Sequence, residues 1–406
     1  MSQYTAVLDI GSSKIVCLIC SPDGKGRIVV HGAGICEHRG YKQGELVDEP
    51  QFTEAIINAI NQAEKEAKRY VKELSVGVPA PFVRLVLNEG TVKFREGEVK
   101  YIDHEDMEAL INSSLKFKKP EGYELMHSTP VEFRTDDVVS ANIPLGATAD
   151  KLSATVSHLF VDSRFKHAVS SALDKIGLDA DLYIGVPLSS GIFVIPDEER
   201  AKTAILIDVG AMHTDISVVQ NSALIDLQTI DLGGWHFAND LSFGLKLDLS
   251  LAESVKRRYV YSLDYQDSID TIRIPGEGAF KVEHEAIQYI VEERTNELID
   301  LIAQSLDEMG VALTDDVPVY LTGGGIALMR GSCEYMERAM GVPVKMRMPW
   351  MPRLSSPNYA SAFSVIDFVM HASDDDNAGK LQGTVPRQES IFELIIKKIK
   401  SFFSRK

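Results

Sequence analysis

Val7–Ile15 reads VLDIGSSKI, and far downstream Leu206–Val219 reads LIDVGAMHTDISVV. In each stretch an apolar run ends in an aspartate, passes one apolar residue and a glycine, turns, and enters a second run rich in Val and Ile. Such a repeat of strand, Asp-x-Gly and strand predicts two similar lobes facing each other, each presenting a turn to a shared cleft. Alone, either turn is equally well a plain hairpin, since Asp and Gly are ordinary turn residues.

Working outward from the first turn, residues 4–36 hold three Val/Ile-rich runs separated by Gly-Ser-Ser and Pro-Asp-Gly-Lys-Gly, which predicts an antiparallel meander. Phe52, Ile56, Ile60, Ala63, Ala67 and Val71 recur at spacings of three and four, one face of a helix starting after Pro50, and the strand ELSVGVP follows. Residues 84–160 mix short strands with one helix near 104–116 and read as an inserted α+β subdomain. Around the second turn the N-terminal plan repeats. Helical sequence follows over 236–261, then a charged strand pair, then an amphipathic stretch from Glu283 to Met309. PVYLTGGGIALMRG at 318–331 reads as a strand, a glycine turn and a helix start. Residues 372–388 are poor in apolar side chains and rich in Asp, Gly and Gln, as a flexible linker would be.

The chain has 406 residues, 45% of them hydrophobic, enough for two or three domains with real cores. Its formal charge of −17 opposes a phosphate backbone, so no nucleic-acid partner is expected. Four cysteines make no disulfide framework and favour a reducing compartment. Cys17 and Cys20 form a CxxC within a strand, where residues three apart face opposite sides, so they are expected to be ordinary strand cysteines. The start of the chain lacks the basic and apolar regions of a signal peptide, and no run of about 18 apolar residues occurs. A cytosolic protein is expected.

Four pieces carry chemistry. At the first turn, Asp9 suits a strand-end carboxylate for hydrated Mg²⁺, while Gly11, Ser12, Ser13 and Lys14 offer amides, hydroxyls and a cation to phosphate. At the second, Asp208, Gly210, Thr214 and Asp215 stand in the same relation to a strand pair. Gly323, Gly324 and Gly325 let a backbone approach a flat ring or an α-phosphate closely. Glu253 and Lys256 share one helix face and can bracket a ribose and base, although a solvated helix face explains the same spacing.

In this order the four pieces resemble the actin-like ATPase superfamily. Closer still, nearly the whole length is similar to the FtsA family of bacterial cell-division proteins. The shared stretches are VLDIGSSKIV, GYKQGELVDEPQFTEAI at 40–56, the piece at 84–160, DLGGWHFANDL at 231–241, LTGGGIAL at 321–328 and an amphipathic C-terminal segment. The resemblance implies an α/β, two-lobed actin-like fold of duplicated ribonuclease H-like domains. Its first lobe (1A) would be 1–83 and 161–196, an inserted subdomain (1C) 84–160, the second lobe (2A) 197–235 and 312–371, and subdomain 2B 236–311. It also implies ATP and Mg²⁺ as ligands, with Gly234 joining the nucleotide set and Asp9 and Asp208 directed at the metal. Further implications are filament assembly and tethering of the tubulin-like FtsZ, through its C-terminal peptide on 236–311, to the membrane at the division site. Family members usually read DIGGGTTD where this chain reads Asp208-Val209-Gly210-Ala211-Met212-His213-Thr214-Asp215. That departure bears on hydrolysis more than on binding, and weak or absent ATPase activity is expected. His213 either orients water or is a polar surface residue.

The last segment, ESIFELIIKKIKSFFSRK at 389–406, is of another kind. Ile391, Phe392, Ile395, Ile396, Ile399, Phe402 and Phe403 form one broad apolar face, and Lys398 belongs to its basic border. From Arg387 onward six basic residues stand against two acidic, a local +4 that leaves −21 on the rest. A basic amphipathic helix on a tether suits the headgroup region of an anionic inner leaflet, with docking on a protein surface as the alternative. Two rival functions within the fold are a small-molecule kinase and a PilM-like pilus-assembly protein, neither of which needs such a tail.

Overall fold

The computed structural model describes residues 4–378 apart from 24–26, 43, 95–99, 137, 143, 262–267, 275–277 and 352–353. Its chain forms two compact units, one from the described residues of 1–204, 217–227 and 361–406, the other from those of 205–216 and 228–360.

The first unit opens with β1 (Thr5–Ile10), β2 (Lys14–Pro22) and β3 (Ile28–Glu37), the expected antiparallel meander. Seven consecutive residues of β2 are buried, Cys17 and Cys20 among them as free thiols. A short pair, β4 (Tyr41–Lys42) and β5 (Glu45–Leu46), leads to α1 (Glu49–Ala67). Asp48 caps this helix by accepting from Gln51 N–H, and Pro50 sits in its first turn. Lys68, left-handed at φ 52°, ends it, so Val71 falls outside the helix face that the apolar spacing suggests. Next, β6 (Glu73–Val78) lies parallel to β1.

The inserted piece follows as β7 (Val83–Lys93), α2 (His104–Ser114), β8 (Tyr123–Thr135), β9 (Val138–Ser140) and β10 (Lys151–Asp162). Its sheet runs β7-β10-β8-β9. A reciprocal Asp103–Asp106 capping box starts α2, whose Met107 and Leu110 pack with Phe133, Leu152 and Val156 into a core of their own. The chain then returns through α3 (Ser163–Asp174), β11 (Asp179–Gly185), α4 (Val186–Val194) and α5 (Asp197–Arg200). The main sheet reads β11-β6-β1-β2-β3, which leaves β1 central and its end at Asp9 buried.

A second sheet, β14-β13-β12-β17-β18, repeats the plan with β12 (Ala204–Val209), β13 (Thr214–Gln220), β14 (Ala223–Ile230), β17 (Val319–Thr322) and β18 (Val344–Lys345). Between β14 and β17 come α6 (Gly234–Leu245), α7 (Leu249–Arg258), the antiparallel pair β15 (Ile269–Ile274) and β16 (Gly278–Glu283), and α8 (His284–Glu308). Phe237, Leu241, Val291, Leu298 and Ile302 close these helices over Ile205, Ile207 and Leu321. The helix expected straight after the triple glycine does not start there. Residues 323–331 instead form turns, Arg330 bridges to Val260, and α9 (Ser332–Met340) begins behind Gly331 at φ 78°. Local glycine spacing does not show that a tertiary bridge holds the chain extended at Arg330.

The last element, α10 (Ala360–Ala378), carries helix into the range 372–388 that composition marks as a linker. Polar residues there lower helix propensity by tenths of a kcal/mol, and no Gly or Pro intervenes before Gly379. Among the described residues no helix is long and apolar enough to cross a membrane.

Candidate nucleotide site

The two Asp-x-Gly turns are built alike. Gly11 N–H donates to Lys14 O at 2.9 Å, and Gly210 N–H donates to His213 O at 2.9 Å. Each glycine sits where a Cβ would come within 3.0 Å of that same carbonyl. The echo in the sequence is thus an echo in backbone geometry.

In the first unit Asp9 ends β1, is buried, and accepts from Ser361 Oγ at 2.7 Å through Oδ2. Burial raises its carboxyl to about 6, opposed by the Ser361 hydrogen bond and by the Lys14 charge. Oδ1 lies beside Gly77, where a Cβ would come within 3.5 Å of it. Along the turn Ser12 is buried, Ser13 exposed and Lys14 half-buried. His38, which no motif marks, fixes this turn. Its Nδ1 accepts from Gly40 N–H at 3.0 Å, which leaves Nε2–H to donate to Gly11 O at 2.8 Å, while His38 N–H donates to Ser13 O. Burial lowers the pKa of this ring, in keeping with the neutral tautomer.

In the second unit three backbone segments are stitched together. Gly234 N–H donates to Gly210 O, Trp235 N–H to Ala211 O and Gly325 N–H to Val209 O, at 2.7–2.9 Å. The first amides of α6 are therefore spent on the loop. A Cβ on Gly234 would stand 2.6 Å from Gly325 Cα, and one on Gly325 would stand 2.7 Å from Gly210 O. Gly323, at φ 95°, leaves no room for a Cβ, which would meet Asp208 Oδ1 at 2.3 Å. Gly324 has Asn358 as its neighbour. Lys256 is buried, donating to Gly234 O at 2.8 Å and pairing with Glu253 at 2.7 Å. Burial lowers its pKa, against the pull of Glu253. A solvated helix face does not describe this pair.

Asp208, Gly210, Gly234, Glu253, Lys256 and the triple glycine thus come together. Two residues of the expected set are tied elsewhere. Thr214 Oγ1 is fully buried and donates to Leu232 O at 2.7 Å, and Asp215 accepts from Thr229 Oγ1 at 2.8 Å. His213 is buried rather than a surface residue, with Nε2 3.4 Å from Asp215 Oδ2. Burial disfavours its charge, but Asp215, Asp208 and Asp231 together outweigh that and leave its pKa raised. Ala211 and Met212 keep negative φ, so the departure from the glycine pattern stores no left-handed strain. Arg294, within the 236–311 range expected to take the FtsZ peptide, pairs with Asp240 at 2.6 Å and Glu297 at 2.5 Å. The expected membrane residues Ile391, Phe392, Ile395, Ile396, Lys398, Ile399, Phe402 and Phe403 lie outside the described residues.

The donor set suits a nucleotide-bound Mg²⁺, a hard cation that takes oxygen ligands, since a buried carboxylate at a strand end stands beside a turn of amides and hydroxyls. Known structures of similar fold include a PilM-PilN type IV pilus biogenesis complex, with a TM-score of 0.61 at 16% identity, covering 90% of this chain and 98% of that one. MreB 5 of Spiroplasma citri bound to AMPPNP gives 0.52 at 13% identity, covering 93% and 99%. The chain therefore has the actin-like fold. A family model described as cell division protein FtsA matches residues 205–364, and one described as the SHS2 domain inserted in FTSA matches 83–159. Cell division protein FtsA of Neisseria meningitidis is 27% identical over 394 residues, 96% of this chain and 93% of that protein. The Streptococcus pneumoniae protein of the same name is 27% identical over 367 residues, 89% and 79%. This chain belongs to the FtsA family of cell-division proteins.

Proposed function

We propose that the chain is an ATP-binding scaffold of the division ring that polymerises and holds FtsZ at the cytoplasmic face of the membrane as a peripheral protein. The observation that carries nucleotide binding is the matched pair of turns, Gly11–Lys14 and Gly210–His213, each behind a strand-end aspartate. Asp9 and Asp208 hold the hydrated Mg²⁺, which when bound offsets charge on the phosphates. Gly11, Ser12, Ser13, Lys14 and Gly210 contact phosphate, while Gly234, Glu253, Lys256 and Gly323–Gly325 receive the nucleoside. Slow or absent hydrolysis fits a scaffold. The finer segmentation into 1A, 1C, 2A and 2B belongs to the same proposal, as does the FtsZ peptide on 236–311. An acidic peptide there would compete with Asp240 and Glu297 for Arg294. The membrane contact is assigned to 389–406 on sequence.

Calorimetry with MgATP tests the core of this. Asp9→Ala and Asp208→Ala should each weaken binding at least about tenfold, since each removes a carboxylate aimed at the metal. Unchanged affinity in both variants would reject the assignment. Vesicle co-sedimentation with and without ATP and FtsZ tests the scaffold role.

A further inference from the structure

Asp9 and Ser361 are 352 positions apart, yet the Ser361 hydroxyl donates to Asp9 Oδ2 at 2.7 Å. Ser361 lies in the first turn of α10, and the way that helix approaches the sheet explains the contact. A Cβ on Gly77, the residue paired with Asp9 across β1 and β6, would come within 2.9 Å of Val365 Cγ2 on α10 and 3.0 Å of Val186 Cγ2 on α4. A bare strand position thus admits both helices. Val365 follows Ser361 by four residues, on the same helix face, so seating Val365 over Gly77 brings Ser361 to the end of β1.

The seat is held by polar contacts as well as apolar ones. Ser364 Oγ donates to Ser361 O at 2.7 Å and lies 3.0 Å from Ser189 Oγ and 3.2 Å from Ser190 Oγ on α4. Ser189, Ser190 and Ser364 are all buried, where a hydroxyl without a partner is costly, and here each has one. Hydrogen bonds from α4 thus reach the backbone carbonyl of Ser361, whose own hydroxyl holds the carboxylate.

We propose that Ser361 is a positioning residue of the metal–nucleotide site: by holding Asp9 Oδ2 it fixes the plane of the carboxylate that a nucleotide-bound Mg²⁺ would meet. The inference rests on the assignment of Asp9 to that site. A carboxylate that loses a side-chain hydroxyl donor samples other rotamers, and a second-sphere donor of this kind typically changes metal affinity by ten- to a hundredfold. Ser364 and the α4 serines set the position of α10, one step removed.

The test is calorimetry on the full-length protein with MgATP and, separately, with ATP in EDTA. Ser361→Ala should weaken MgATP binding by about tenfold while metal-free ATP binding stays within about twofold of wild type. Ser361→Thr, which keeps the hydroxyl, should restore MgATP binding to within about twofold. A merely structural role would lower both affinities together, and that result overturns the inference, as would wild-type MgATP binding in Ser361→Ala or no rescue by threonine. Asp9→Ala in parallel separates the two levels. If Asp9→Ala loses MgATP and Ser361→Ala does not, the positioning role alone fails. If Asp9→Ala binds as wild type does, the metal assignment fails and the positioning role falls with it.

Discussion

Ala211 and Met212 occupy positions where the usual family pattern has glycine, and each adopts a backbone that any residue accepts. Positive φ occurs among the described non-glycine residues at Lys68, Asp136, Asn221, Ser222 and Lys246, and not in this loop. Glycine at 211 or 212 therefore relieves no strain; it adds freedom to the unfolded chain and, at 212, also removes a half-buried side chain. Ala211→Gly should lower stability by roughly 0.4–1 kcal/mol in denaturant titrations, Met212→Gly should lower it further because a half-buried side chain is lost as well, and both should leave phosphate release from bound ATP unchanged. Faster release in either variant would mean that side-chain bulk, rather than backbone conformation, limits the loop. At this scale the sequence is informative where chemistry is local. Asp9, Gly11, Asp208 and Gly210 are marked by their own neighbours. Ser361 and His38 are not, because a lone serine and a lone histidine acquire their roles only when distant strands and helices bring them to Gly11 and Asp9.

Strand β8 supplies a test of how the inserted piece is joined to the first unit. Its His127 is buried, accepts from Gly185 N–H on β11 at 3.2 Å, and sits near Phe368 of α10. Burial pushes its pKa from 6.5 down to about 4. The folded state thus binds the proton less tightly than the unfolded state, so this contribution is complete above pH 6.5 and is lost as pH falls through 4. The difference corresponds to about 3 kcal/mol. His127→Gln retains an acceptor for Gly185 and cannot titrate. Urea titrations should show wild type losing about 3 kcal/mol more than the variant between pH 6.5 and 4, and parallel profiles would remove His127 from the linkage. Element types were legible wherever period and burial agree, as in β1–β3, α1 and α8. Errors fell at boundaries set from a distance. Val71 lies beyond a left-handed Lys68, and the bridge from Val260 to Arg330 delays α9 well past the glycines.

For the whole molecule, the proposed membrane contact rests on charge, a local +4 at the C-terminal end against −21 elsewhere. Helix α10 spans Ala360–Ala378, so removing everything after Gly379 leaves that helix and both units' described residues in place. This truncation should abolish flotation with anionic vesicles while preserving MgATP binding. Each apolar side chain fully buried in the interface contributes about 1.5–3 kcal/mol, and each nearby Lys or Arg about 1 kcal/mol on anionic lipid. A single helix with that balance would bind reversibly, and many copies along the proposed filament would make attachment stable. Phe402→Glu with Phe403→Glu subtracts apolar gain and adds repulsion, so the double variant should behave like the truncation. Wild-type binding should weaken as salt rises, because the basic residues act as surface charges screened over about 8 Å at physiological ionic strength. If the truncated protein still floats, attachment runs through another surface, and the tail's basic, aromatic face must instead dock on protein.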